Sequence, residues 1–340
     1  QLNSDGFDAY LVGGCVRDAL LGIVSDDLDL CTDLLPEKAL EILEDAGFRV
    51  IPTGIRHGTI TAVKGARVFE VTTLRIDVRT DGRHADVAFT TNWKEDASRR
   101  DFTFNALFLD KNGLLSDYYS GLSDLKDGIV RFIGDAGERI TEDYLRILRY
   151  FRFLARFGNA EPEAGALEAI RRHRDGLKSL SSERVLKEIS LLLKVRDPLA
   201  AIRVMQQLGL FMSLFGRDLD PQILENSQQL DFQYDEINRF SFLISGDMGL
   251  ADLISRQLRM SSKMKTRLLA ACEETLPADL TDKAIKERLY YWGREIFEDR
   301  VKLAWARSPL ETGYGGYLDV SKSWDIPVFP LQGRDLIEVG

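Results

Sequence analysis

The sequence contains no apolar run long enough to cross a membrane and no secretory leader, so no membrane association is expected. Cysteine is scarce. Cys15, Cys31 and Cys272 form an odd set without metal-ligand spacing, which suits reduced thiols in a cytoplasmic protein rather than a disulfide framework. Internal repeats and low-complexity tracts are also missing. So is a surplus of cations: 45 Lys and Arg stand against 54 Asp and Glu, a net charge of −9 that argues mildly against nucleic acid. The deficit is uneven, however. Residues 135–196 carry 13 Lys and Arg against 10 Asp and Glu, so a local basic stripe is compatible with the total. The chain opens without Met and stops within LQGRDLIEVG, as a piece cut from a longer protein would.

At 340 residues the chain exceeds what one core usually covers, and two to four modules are expected. Within residues 7–133, FDAYLVGG, DLDLCT, GTITAVK, RVFEVTTLRI, ADVAFT and IVRFIG read as strands. VRDALLG and PEKALEILEDAG read as helices, the second opened by Pro36 and closed by Gly47. From about residue 135 the pattern turns helical. DAGERITEDYLRILRYFRFLARFG reads as one helix stopping at Gly158, and SSERVLKEISLLLK opens on a serine cap. DKAIKERLYYWGREIFEDRVKLAWA reads as the longest late helix. The outline is an α+β head on a mixed sheet, followed by an all-helical remainder.

The chemistry-bearing stretch is LVGGCVRDALLGIVSDDLDL, residues 11–30. On a strand, Asp27 and Asp29 share one face while Leu28 and Leu30 point into the core. Two carboxylates so close repel each other unless a cation lies between them. Oxygen-only ligation favours Mg²⁺, completed by substrate phosphates; the bland reading is a solvated edge strand. GGCVRD follows an apolar strand and precedes a helix, so its backbone amides can face an anion, with Gly14 in the turn and Arg17 as a forked phosphate donor. The alternative is a tight turn whose arginine pairs with Asp18. Set a dozen residues before D-x-D, this arrangement is the layout of nucleotidyl transfer.

G-G-x-V-R-D-x-x-L-G-x4-D-x-D resembles the head motif of the bacterial-type (class II) tRNA nucleotidyltransferase and poly(A) polymerase family, a branch of the polymerase-β-like nucleotidyltransferases. RRDFTFNAL at 99–107, TEDYLRILRYFRF at 141–153, RHGTI and FEVTTLR agree in kind and order, and CCA-adding enzymes are the most similar members. No H-D pair of the kind appended in some members is present. The resemblance implies a head at 1–134, a neck at 135–198 that recognises the nucleotide base, a body at 199–258 and a tail at 259–340 that binds tRNA. It also implies that the tRNA 3′-hydroxyl attacks the α-phosphate of CTP or ATP, with two Mg²⁺ held by Asp27 and Asp29. The tRNA acceptor arm is the expected partner. A poly(A) polymerase, a partial CC- or A-adding enzyme and a non-catalytic tRNA-binding protein are the other readings.

Read as a helix, EDYLRILRYFRFLARF places Ile147, Leu148, Phe151, Leu154 and Ala155 on one face and Arg146, Arg149, Arg152 and Arg156 on the other. Asp143 and Arg146, one turn apart, can share a target. At a base edge the carboxylate accepts from an exocyclic amino group and the guanidinium donates to a ring nitrogen. Cytosine and adenine offer that pair, whereas uracil and guanine present the wrong polarity. The family assigns this role to the matching residues; an i,i+3 surface ion pair is the alternative. By resemblance Arg100, Asp101 and Asn105 bind triphosphate and ribose, although a buried polar network bracing sheet against helix would also use them. Glu70 is a third acid that assists the metal pair, deprotonates the hydroxyl or forms a structural salt bridge. His57 reads as a turn cap. RIDVRTDGRHADVAF, with Arg75, Asp77, Asp81, Arg83 and His84, corresponds to the loop that helps the family switch from C to A addition, two residues short of the usual spacing.

Overall fold

The computed structural model describes residues 2–3, 7–25, 27–80, 85–159 and 161–328. By contacts the chain divides into Gln1–Leu180 and Ser181–Gly340. The first unit holds strands β1 (Ala9–Val12), β2 (Leu28–Thr32), β3 (Arg49–Gly54), β4 (Thr59–Lys64), β5 (Arg67–Thr73), β6 (Arg75–Thr80), β7 (Ala85–Phe89), β8 (Leu107–Leu109) and β9 (Leu115–Asp117). Its helices are α1 (Gly14–Leu20), α2 (Pro36–Asp45), α3 (Trp93–Ser98), α4 (Gly121–Asp127), α5 (Ala136–Glu142), α6 (Leu145–Phe157) and α7 (Ala164–His173). A seven-stranded sheet runs β3-β4-β5-β2-β1-β8-β9, with β6 and β7 forming a separate hairpin. The β2–β5 pair is parallel, while β1–β2 and β1–β8 are antiparallel, so the sheet is mixed as expected.

The head core follows the apolar alternation. Pro36 starts α2, which buries Ala39 and Leu43 against Ile60, Ala62 and Val71 of the sheet. Val12, Cys31, Leu74, Ala97 and Phe108 form a second cluster under α3. Aromatic rings then hold α6 to the segment that precedes β8 and to Phe132. Phe153 lies 5.4 Å from Phe102 and 5.3 Å from Phe104 between ring centroids, and Tyr150 stacks on Phe132 at 5.5 Å. Rings of this size bury large apolar areas and prefer these offset and edge-on contacts.

Several expectations change here. The segment 135–158 is not one helix. Asp143 is extended, φ −156° and ψ 104°, and separates α5 from α6. The buried face of α6 reaches around to Tyr150 and Phe153, with Leu154 and Ala155 only half-buried, because Phe102 and Phe104 offer it a second apolar surface. IVRFIG contributes an isolated bridge, Phe102 to Phe132, rather than a strand. RVFEVTTLRI breaks at Leu74, where the chain leaves the main sheet for the hairpin. Strands β3, β8 and β9 are short or edge elements whose sequences carry little alternation.

Described residues of the second unit are helical or irregular, beginning with α8 (Ser182–Lys194) and ending with Gly313–Ser323. The long late helix divides into Asp282–Trp292 and Arg294–Arg307 at Gly293, whose φ of +77° an L side chain rarely adopts. Leu289, Phe297, Val301 and Tyr314 pack at its core. Among the described residues no helix is long and apolar enough to cross a membrane.

Phe153 is 2% exposed at the centre of the ring cluster. Phe153→Ala should destabilise the first unit by about 3–5 kcal/mol in denaturant titrations. A loss below about 1 kcal/mol would show that the rings do not anchor α6.

Candidate active site

The turn after β1 is built on Gly13, whose φ of +71° is left-handed and whose N–H donates to the Leu107 carbonyl at 3.2 Å. A Cβ at Gly13 would stand in ordinary contact, 3.5 Å from Arg100 Nη1, so the left-handed φ rather than space calls for glycine, and Arg100 lies against the turn. Gly14 opens α1. Arg17 follows the pairing reading: it is 5% exposed, and its guanidinium meets Asp18 through Nε at 2.9 Å and Asn105 through Nη1 at 2.6 Å.

Asp27 is exposed immediately before β2, and Asp29 is half-buried within it. Glu70, exposed on β5, is the direct parallel partner of Asp29. Burial, then the charges of Asp27 and Glu70, push the Asp29 carboxyl up to about 6 against the opposing field of Arg100. None of these three acids forms an ion pair among the described residues. The donors are oxygen only, which fits a hard divalent cation. Among the described residues no three His, Cys, Asp or Glu make a complete ligand cluster, so such a cation would draw the rest of its shell from water or substrate oxygens.

Beside this pair a polar chain, buried at Arg17, Asp18, Asp101 and Asn105, links α1 and residues 101–105 to α6. Arg156 reaches Asp18 at 3.2 Å, Asp18 holds Arg17, and Arg17 donates to Asn105. Asn105 donates to Asp101 Oδ1 at 2.9 Å, and Arg149 Nε donates to Asp101 Oδ2 at 2.7 Å. Burial opposes ionisation of Asp101, but Arg149 and the Asn105 amide hold its carboxyl below the usual range. Arg100 lies apart from this chain, donating to Asp96 and, at 3.1 Å, to Cys31 Sγ.

The break at Asp143 changes how Asp143 and Arg146 are held relative to each other. The Asp143 carboxylate accepts from Leu145 N at 3.1 Å and its carbonyl from Arg146 N at 3.0 Å, so it caps the start of α6. Arg146 donates to Glu142, to the Arg139 carbonyl and to the Arg99 carbonyl, using three of its five N–H groups. Arg152 sits half-buried on α6, its guanidinium 4.3 Å from the Phe153 ring centre. His57 ends a short 3₁₀ turn, and its carbonyl accepts from Arg75. Asp81, Arg83 and His84 lie outside the described residues. Sequence reasoning missed Asp96 as a member of this group. Its signal was present, because Arg99 and Arg100 follow at i+3 and i+4, the spacing of helical ion pairs.

Residues 9–131 match the model of the Poly A polymerase head domain, and residues 161–223 match the probable RNA and SrmB- binding site of polymerase A. The chain is 37% identical to CCA tRNA nucleotidyltransferase 1, mitochondrial, of Danio rerio, over 98% of this chain and 79% of that protein. The Homo sapiens protein of the same name is 36% identical over 99% of this chain and 79% of its own length. The crystal structure of the Bacillus stearothermophilus CCA-adding enzyme in complex with CTP superposes with a TM-score of 0.77 at 26% identity, covering 98% of this chain and 83% of that one.

The raised Asp29 pKa makes stability fall with pH. The folded chain holds this proton more tightly than the unfolded chain, so ionisation removes stability as pH rises from 3.8 through about 6, and the full cost persists above. In divalent-free buffer, Asp29→Asn should have a higher Tm than the parent at pH 8, with the margin closing toward pH 4. A lower Tm at pH 8 would contradict the crowding of the three acids.

Proposed function

The chain belongs to the CCA-adding tRNA nucleotidyltransferase family, and from that premise we propose how its own residues extend a tRNA 3′ end with C, C and A. The terminal 3′-hydroxyl oxygen bonds to the α-phosphorus of CTP or ATP, the α–β phosphoanhydride breaks, and pyrophosphate leaves. No nucleic-acid template is used. The observation that carries the assignment is the carboxylate set Asp27, Asp29 and Glu70, without an ion-pair partner among the described residues, at the edge of a glycine turn approached by Arg100.

Asp27 and Asp29 are the residues that would hold Mg²⁺, which when bound supplies Lewis acidity to the phosphoryl oxygens and favours the alkoxide form of the hydroxyl. Glu70 accepts the hydroxyl proton. Arg100 and the backbone turn at Gly13 and Gly14 bind the triphosphate. Asp101 and Asn105 bind the ribose, oriented by Arg149 and Arg17 respectively. Asp143 and Arg146 read the base edge, with Arg149 and Arg152 flanking them on α6. The junction between α5 and α6 supports this reading, because it frees Asp143 from the helical register while a backbone bond keeps Arg146 one turn away. The cationic excess of residues 135–196 supports contact with the acceptor arm through phosphates and shape. All three cysteines are free thiols, which supports a reducing compartment such as the cytoplasm.

Asp29→Ala should reduce CTP and ATP incorporation into tRNA lacking its 3′ end by about a thousandfold or more while the protein stays folded. Sequencing the extended products separates CCA from CC, a single A or a long A tail. Full activity in this variant would remove the carboxylate assignment. Asp143→Ala or Arg146→Ala should admit UTP or GTP, measured as misincorporation with each nucleotide supplied alone. An unchanged preference would place base selection elsewhere.

A further inference from the structure

Asp96, in α3, is 0% exposed. A carboxylate removed so completely from water must be matched by donors, and the match here is specific. Oδ2 accepts from Arg100 Nε at 3.2 Å and Nη2 at 2.9 Å. Oδ1 accepts from Arg99 Nε at 2.9 Å and Nη2 at 2.7 Å, and from the Arg75 backbone N–H at 3.2 Å. One carboxylate therefore orients two consecutive arginines and the first residue of the β6–β7 hairpin.

Both arginines lead toward the site. Arg100 Nη1 stands against the Gly13 turn, and Nη2 rests on Cys31, which shares a face of β2 with Asp29. Arg99 Nε also donates to the Arg75 carbonyl at 3.2 Å, while the Arg99 carbonyl accepts from Arg146 Nη2 at 3.1 Å. Burial opposes the charge on Asp96, yet Arg100 and Arg99 hold its carboxyl below the ordinary range. The group is too deeply buried to meet a nucleotide.

We propose that Asp96 is a positioning residue for nucleotide binding: it fixes Arg100 at the triphosphate turn and Arg99 as the anchor of Arg146. This rests on the nucleotidyl-transfer reading above. A brace that merely stabilised the fold would change the fraction of active protein, and so apparent kcat and Tm, without moving KM. A brace that aims Arg100 and Arg146 changes KM for the nucleotide itself, because guanidinium contacts are lost when the group shifts by a fraction of an ångström.

Two variants separate these roles. Asp96→Glu keeps the charge but displaces it by one methylene, and Asp96→Asn keeps the shape but removes the charge. Initial rates would be measured on tRNA lacking its 3′ end, with CTP and ATP varied separately and Tm recorded alongside. In both variants KM should rise about tenfold or more for each nucleotide, with kcat falling less. Adding Arg100→Lys to Asp96→Glu should raise KM little beyond the larger single effect, since both changes act on one guanidinium. KM does not depend on how much of the preparation is folded, so partial unfolding cannot imitate the result. An unchanged KM in both variants, whatever the Tm, overturns this inference alone. A parent protein that incorporates neither nucleotide overturns the nucleotidyl-transfer reading and this inference with it.

Discussion

Everything at this site follows from carboxylates crowded together without an ion-pair partner among the described residues, their repulsion offset in part by the field of Arg100 on Asp29. Asp29 is half-buried on β2, Asp27 precedes it by two residues, and Glu70 stands opposite on β5. Each added negative charge makes the next ionisation harder, and burial removes the water that would screen it. Folding alone gains nothing from this grouping. A bound cation would relieve it.

The rest of the first unit differs. Its other buried charges are compensated: Asp101 by Arg149, Asp18 by Arg17 and Arg156, Asp96 by Arg99 and Arg100. Such pairs gain little net stability over apolar packing, but losing one partner is costly because the other is left buried and charged. Their value here is geometric. They fix guanidinium and amide groups whose positions a flexible surface side chain could not hold.

The aromatic cluster supplies the second constraint. Phe102 and Phe104 alternate with Asp101, Thr103 and Asn105, so one short segment presents rings to Phe153 and polar groups to Arg17 and Arg149. Packing and polar alignment thus come from the same five residues. Changing a ring would also move the hydrogen-bonding groups beside it, coupling stability of the unit to the placement of Asp101 and Asn105.

Much of this was legible in the sequence. The period-two run DLDL put Asp29 on the strand face opposite Leu28 and Leu30, though Cys31 on Asp29's own face is buried in a core cluster; Pro36 and Gly47 bounded α2, and the motif set identified the family, because strand alternation, caps and short-range motifs are local properties. The helix break at Asp143 was not legible. EDYLRILRY satisfies helical periodicity, and only the alternative bonds from Leu145 and Arg146 to Asp143 show the interruption. Nor could the sequence say whether Arg17 faces a phosphate or Asp18. Its partner Asn105 lies 88 residues away, and such a pairing exists only once β1, α1 and β8 have packed. The sequence by itself determined which residue types and spacings were available, hence the fold class and the chemistry. The tertiary structure decided which arginines are consumed as internal partners and which acids are left without one, because burial and distance, not order along the chain, set the cost of a charge.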